Sequence, residues 1–207
     1  MPLVGWLVLR GKCRSCGAKI DPLHPLVEVL AAGVGALCLW LAPDERGAAL
    51  ALFGWLLLLA AALDARHYWL PHKLSLLAGI AGLTLGGMAM TAVGLEVALL
   101  DRIIGATAGF AGLWLLALGY RAARGREGLG GGDAPFLAAI GAWMGWQLLP
   151  LVLLFAAVAG LAITAVRLMT TKQTAPDIGS QLLPFGSLLA VAVPFALATG
   201  WILLSQG

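Results

Sequence analysis

The sequence predicts an all-α, polytopic integral membrane protein with about seven transmembrane helices, folded as a single domain over residues 1–207. Three observations carry this. Of 207 residues, 61% are hydrophobic and only 11% charged, with a mean hydropathy of +0.95, far more apolar than globular chains in water. The apolar residues come in runs of roughly 16–20, about what a helix needs to cross a bilayer. Short charged or Gly/Pro-containing loops separate the runs, and neither an internal repeat nor a stretch of soluble-domain composition interrupts them. A basic isoelectric point near 9.0 reports topology in such a chain rather than nucleic-acid binding.

Each element follows in order. Residues 1–9 are too short to span and lack the layout of a cleavable signal peptide, so they are expected to lie at the interface. The polar stretch 10–21 holds Cys13 and Cys16 in a C-x-x-C pair, and residues 1–24 form a short cysteine-containing segment outside the membrane. Helices are expected at about 26–41, 48–63, 74–93, 101–120, 134–146, 149–168 and 183–204. The fifth is short for a bilayer, as a tilted, re-entrant or neighbour-enclosed helix would be. Gly105, Gly109 and Gly112 suit close helix packing. Trp40, Trp55, Trp69 and Trp201 read as interfacial anchors, and Cys38 as a small apolar filler within its helix.

Charge sets the expected orientation. With the N-terminus in the cytoplasm, inside segments hold Arg10, Lys12, Arg14 and Lys19; Arg66 and Lys73; Arg121, Arg124 and Arg126; and Arg167 and Lys172, which is 11 of the 13 basic residues. Arg46 and Arg102 stay outside beside Asp44, Glu45, Glu96 and Asp101. Basic residues are retained on the cytoplasmic side, where their quiet role is contact with anionic membrane lipids.

That orientation places Asp64 and Asp133 on one side, at similar depth, each at the end of an apolar run. Acidic residues in such positions mark function by default. Two carboxylates brought together there do not both ionise comfortably, so one serves as acid and the other as base. Such a pair can deprotonate water and protonate a carbonyl oxygen, as peptide hydrolysis requires. The glycine-rich run 126–132 before Asp133 offers an extended substrate backbone a side-chain-free approach.

The same residues resemble a known family. Asp133 with its preceding glycines is similar to the GxGD motif of intramembrane aspartyl proteases. The run Arg126-Glu127-Gly128-Leu129-Gly130-Gly131-Gly132-Asp133 followed by Leu137-Ala138-Ala139-Ile140-Gly141-Ala142-Trp143 resembles the K-E-G-M-G-x-G-D and L-L-A-x-L-G-A-W patterns of type IV prepilin peptidases. Leu9 to Cys16 resembles the family's cytoplasmic cysteine loop, Pro25-Leu26-Val27-Glu28 its P-L-V-E helix start, Asp64-Ala65 with Leu70-Pro71 its first aspartate motif, and Leu183-Pro184-Phe185-Gly186 its I-P-F-G. The resemblance covers the whole chain. It implies a multi-pass bacterial inner-membrane endopeptidase with its active site toward the cytoplasm and Asp64 and Asp133 as catalytic residues. Its substrates would be type IV prepilins or type II secretion pseudopilins, which have a basic leader and an apolar helix lying in the bilayer. Nothing in the sequence sets an oligomeric state.

Departures from the pattern refine the expectation. The chain resembles a short form lacking the family's first CxxC pair and first transmembrane helix. Cys13 and Cys16 supply two of four tetrahedral zinc ligands, so spare thiols are expected rather than a metal site. The family links the absent region to N-methylation of the new N-terminus with S-adenosylmethionine, so neither zinc nor S-adenosylmethionine is expected to be required for proteolysis. Arg66 stands where the family has the final Asp of D-A-D, and His72 where L-P-D has its Asp; His67 and His72 read as solvated loop residues. Ala134-Pro135-Phe136 replaces the usual F-K-L. Two other classes fit the composition: a small proton- or cation-coupled transporter using the same carboxylates, and a non-catalytic membrane scaffold.

Overall fold

The computed structural model describes residues 2–125, 130–170 and 184–205. Eight helices occur among them: α1 (Pro2–Val8), α2 (Leu23–Leu41), α3 (Glu45–His67), α4 (His72–Thr91), α5 (Leu99–Arg124), α6 (Asp133–Met144), α7 (Leu149–Thr170) and α8 (Phe185–Ser205). Apart from one antiparallel bridge between Lys12 and Lys19, the described residues carry no strand pairing. The chain is an all-α, multi-pass membrane protein.

Six helices, α2 to α5 with α7 and α8, are long and apolar enough to cross a membrane. The remaining one of the about seven expected is a shorter helix that joins the two ends of the bundle: it starts at Asp133, beside Gly132 and Leu70, and Trp146 just past its end donates to Asp101 at the start of α5 at 3.1 Å. This is the fifth predicted helix, α6, which has 12 residues and is about 18 Å long. It is an inner element enclosed by α4 and α5, with all but three of its residues buried.

Local chemistry explains the helix ends that matter. The Asp44 side chain accepts the Arg46 N–H at 2.9 Å and caps the start of α3. At the other end Tyr68 takes a left-handed conformation, φ 50°, and its N–H donates to the Asp64 carbonyl. Pro71 then precedes the first turn of α4, where its missing N–H costs nothing. This tight turn carries Leu70 inward to 3% exposure.

Backbones meet closely around α6. A Cβ added at Gly105 would lie 2.6 Å from the Gly141 carbonyl oxygen, and one at Gly109 2.8 Å from the Leu137 carbonyl oxygen. Gly112, expected in the same role, has nothing within 4 Å. Trp55 and Trp143 depart from the expected interfacial pattern: Trp55 lies in the middle of α3 and donates its indole N–H to the Ala31 carbonyl of α2 at 2.8 Å, and Trp143 lies in the core. It is fully buried, stacks on Phe53 of α3 with centroids 4.8 Å apart, and donates its indole N–H to the Ala78 carbonyl of α4 at 2.8 Å. One side chain thereby joins α3, α4 and α6. Arg102, counted on the non-cytoplasmic side, is buried; its guanidinium donates to the carbonyls of Gly82 and Leu83 on α4 at 3.1 and 3.0 Å.

Overpacking a closed glycine contact costs about 1–3 kcal/mol. Thermal unfolding in detergent is therefore expected to show Gly105→Ala destabilised by that order, whereas Gly112→Ala is neutral or slightly stabilised. Equal behaviour of the two variants would contradict the packing described here.

Candidate active site

Asp64 and Asp133 are both buried, at 5% exposure each. Asp64 is not the terminal residue of its helix, as predicted, but lies one turn inside α3, which continues to His67. Its Oδ2 accepts the Ser187 backbone N–H at 2.7 Å and faces the Ser187 hydroxyl at 3.1 Å. Ser187 belongs to the first turn of α8, whose free N–H groups suit a carboxylate. Asp133 is the first residue of α6. Its Oδ2 accepts the Gly130 N–H, and its own N–H donates to the Gly130 carbonyl, both at 3.1 Å. The side chain thus closes a reciprocal loop with the turn that delivers it.

Leu70 brings the two acids together. A Cβ on Gly132 would lie 2.8 Å from the Leu70 Cβ, and one on Gly186 would overlap the other end of the same side chain while standing 3.1 Å from the Asp64 carboxylate. The loop before α6 and the start of α8 therefore close on Leu70 from two sides, each through a glycine. Asp133 lies within reach of the Asp64 charge.

This assigns the glycines more narrowly than the sequence did. Gly130 serves Asp133 through its N–H, and Gly132 serves contact with Leu70. Only Gly131 has nothing within 4 Å of an added Cβ and offers an open approach. Residues 126–129 of the motif, and Leu183 of the later one, lie outside the described residues.

Ser187 is the contact of Asp64 that sequence reasoning missed. The signal was present, because it directly follows the I-P-F-G-like motif. Its hydroxyl lies 3.0 Å from the Ala61 carbonyl as well as 3.1 Å from Asp64, and a hydroxyl has one proton and two lone pairs. It can donate to an ionised Asp64, or donate to Ala61 and accept from a protonated Asp64. The same contact holds the carboxyl group in either protonation state.

Around the pair, the departures from the family pattern acquire partners. Arg66, two residues after Asp64, pairs with Asp21, whose other carboxylate oxygen accepts the Leu23 N–H at 2.9 Å. The cysteine segment is thereby tied to the end of α3. His67 and His72 are exposed.

Cys13 and Cys16 occupy a separate turn, closed by Cys13 N–H to the Ala18 carbonyl at 2.8 Å and Gly17 N–H to the Cys13 carbonyl at 3.0 Å. The Ser15 side chain, the N–H groups of Cys16 and Ser15, and the Cys16 side chain bring the Cys13 thiol down to about 6. A thiolate there is a competent ligand, yet two thiols are half of a tetrahedral zinc set. Among the described residues no group of three or more His, Cys, Asp or Glu is placed to hold a metal ion. These residues do not fit a complete zinc site. Cys38 is buried at 7% exposure, as a filler should be.

Comparison with known proteins gives matches over the same elements. Residues 50–165, which include both aspartates, match the type IV leader peptidase family, and residues 1–42 match the bacterial peptidase A24 N-terminal domain. A prepilin leader peptidase/N-methyltransferase of Aeromonas hydrophila is 39% identical over 210 residues, covering 100% of this chain and 66% of that protein. Proteins of the same name from Pseudomonas aeruginosa and Stutzerimonas stutzeri are 36% and 35% identical, again over 100% of this chain and 66% of theirs. The chain thus spans 66% of the length of these curated relatives. No solved structure matches it.

The Leu70 contact distinguishes the glycines by experiment. Gly132→Ala is expected to lower thermal stability by about 1–3 kcal/mol through overpacking, while Gly131→Ala has no such cost. Unfolding curves in detergent that place both variants with the wild type would remove Leu70 from its proposed place between the acids.

Proposed function

The chain belongs to the type IV leader peptidase family, and from that membership we propose that it is a membrane aspartic endopeptidase that removes the basic leader from type IV prepilins or type II secretion pseudopilins. One observation carries the assignment of residues: two buried carboxylates, Asp64 near the end of α3 and Asp133 at the start of α6, stand beside glycines, Gly186 and Gly132, that close on the same Leu70 side chain. The retention of 11 of 13 basic residues on one side supports a cytoplasmic-facing site in a bacterial inner membrane.

The proposed mechanism uses one ionised and one protonated carboxyl group. Asp64 has the Ser187 N–H and hydroxyl on a single oxygen, so it is the better placed to hold the charge. It takes a proton from water as the water oxygen bonds to the scissile carbonyl carbon. Asp133 gives its proton to the carbonyl oxygen, forming a neutral tetrahedral diol. As the diol collapses, the C–N bond breaks, Asp64 passes its proton to the departing nitrogen, and Asp133 recovers a proton from the diol. No acyl-enzyme forms, and the balance consumes only water. Neither zinc nor S-adenosylmethionine enters these steps. Ser187 follows Asp64 through both protonation states by turning its hydroxyl between Asp64 and Ala61.

Cleavage of a prepilin-like peptide in detergent tests this reading. Asp64→Asn and Asp133→Asn are each expected to lower kcat by roughly 10²–10⁴-fold with unfolding temperatures close to wild type. Cleavage that survives either change would remove that residue from the mechanism. Ser187→Ala is expected to cost about tenfold in kcat, the size of one hydrogen bond, with recovery in Ser187→Thr. A loss in KM alone would assign Ser187 to binding instead.

A further inference from the structure

The molecule holds a second feature that the catalytic pair does not use. A cavity of about 970 Å³ lies between α2, α3 and α8, lined by apolar side chains that include Leu37, Leu58, Ala61, Val191, Ala198 and Trp201. α3 packs on α2 and on α8, but α2 and α8 have no extensive interface with each other, so the cavity opens sideways into the bilayer. Leu37, Val191 and Trp201 on its walls are each 55% exposed.

We propose that this groove receives the apolar membrane helix of the substrate, on the mature side of the bond to be cut. The proposal rests on the peptidase reading above and extends it to a binding surface.

Continuity with the acids is the first argument. Ala61 is part of the lining and lies one helical turn before Asp64, and its carbonyl shares the Ser187 hydroxyl with the Asp64 carboxylate. A chain leaving the groove at this end arrives at the catalytic pair. Length is the second. From Ala61 back to Leu50 on α3, and from Ala190 on to Ile202 on α8, the lining runs about 16–18 Å at 1.5 Å per residue. That matches 11 or 12 residues of helix.

Shape is the third. The cavity is walled by α2, α3 and α8 and open where α2 and α8 do not close on each other. An occupant there meets lipid on one face and protein on the other. The lining offers that face no charged side chain, which suits an unbroken apolar run and rejects a polar one. A lipid tail fits any outer face of this protein, whereas this groove ends at Ala61, one helical turn from Asp64.

Two measurements on the full chain in lipid nanodiscs test the proposal. The first uses a peptide with a basic leader, a glycine at the cleavage point and a 20-residue apolar helix carrying a photoreactive residue, added to the Asp64→Asn protein. Crosslinks are expected on Leu37, Leu58 or Val191. Crosslinks spread over outer faces such as Leu76, Leu115 and Leu154 would overturn the groove, and are the outcome expected if lipid alone fills it.

The second compares cleavage of that peptide with one truncated a few residues past the glycine. Val191→Trp and Ala198→Trp, both at exposed lining positions, are expected to raise KM for the long peptide at least tenfold and leave the short one within twofold. Leu76→Trp, on the far side of α4, should match wild type with both. Unchanged KM in both groove variants would overturn the proposal while leaving the peptidase standing. Crosslinking at the lining without cleavage of either peptide by the wild type would do the reverse.

Discussion

The constraint on which the structure depends is the burial of two carboxyl groups inside an apolar helix bundle. An acid in such surroundings is costly unless each oxygen finds a donor. Here the donors are backbone N–H groups: Ser187 in the first turn of α8 for Asp64, and Gly130 in the turn before α6 for Asp133. The Ser187 N–H is free because the first turn of a helix has no internal partner for it. Meeting this requirement fixes where α6 and α8 begin, and hence where the connecting loops must pass. Leu70 fills the space between, and the two starts approach it only because Gly132 and Gly186 have no side chains.

α6 is the element that holds Asp133 in place. Shorter than the other membrane helices, it is gripped along its length by α4, α5 and, through Phe53, α3. The grip uses backbone contact at Gly105 and Gly109 and a single indole hydrogen bond to Ala78. In lipid there is no hydrophobic force between helices, so packing of this closeness and hydrogen bonds of this kind supply the association. α3 shares in this packed side through α4 and Phe53, while its other flank, between α2 and α8, is open. A rigid wall and an open one meet along the helix that carries Asp64.

Much of this was readable in the chain. Hydropathy gave the six long spans because lipid demands uninterrupted apolar runs of that length. The two acids were visible because charge is rare in such runs. What failed to show was whatever depends on contacts distant in sequence. Apolar composition cannot separate a tilted or re-entrant helix from one enclosed by its neighbours, so the sequence left the three open for α6, and only its contacts with α4 and α5 decide. The side of the membrane was all that the sequence offered for Arg102, since its acceptors are carbonyls of α4 and carbonyls leave no mark in a sequence. Arg66 looked like a lost acid until Asp21 appeared beside it. Ser187 was passed over because one serine after a glycine is commonplace, and its meaning lies in Asp64, 123 positions earlier.

The Ser187 hydroxyl bears on why the pair is built unequally. In the proposed cycle each acid gains and loses a proton once, so each environment must tolerate two charge states. Asp133 meets one fixed donor, the Gly130 N–H, which serves an acceptor oxygen in either state and leaves the other oxygen for the proton it gives and recovers. Asp64 meets a fixed N–H and a rotatable hydroxyl on the same oxygen. The hydroxyl has the Ala61 carbonyl as an alternative acceptor, so when Asp64 is protonated no buried polar hydrogen is left facing another. A second fixed N–H in that place would favour the ionised form throughout and oppose the proton uptake that water activation requires. A rotating donor with two acceptors lowers the cost of both states together, which is what an acid that must alternate needs.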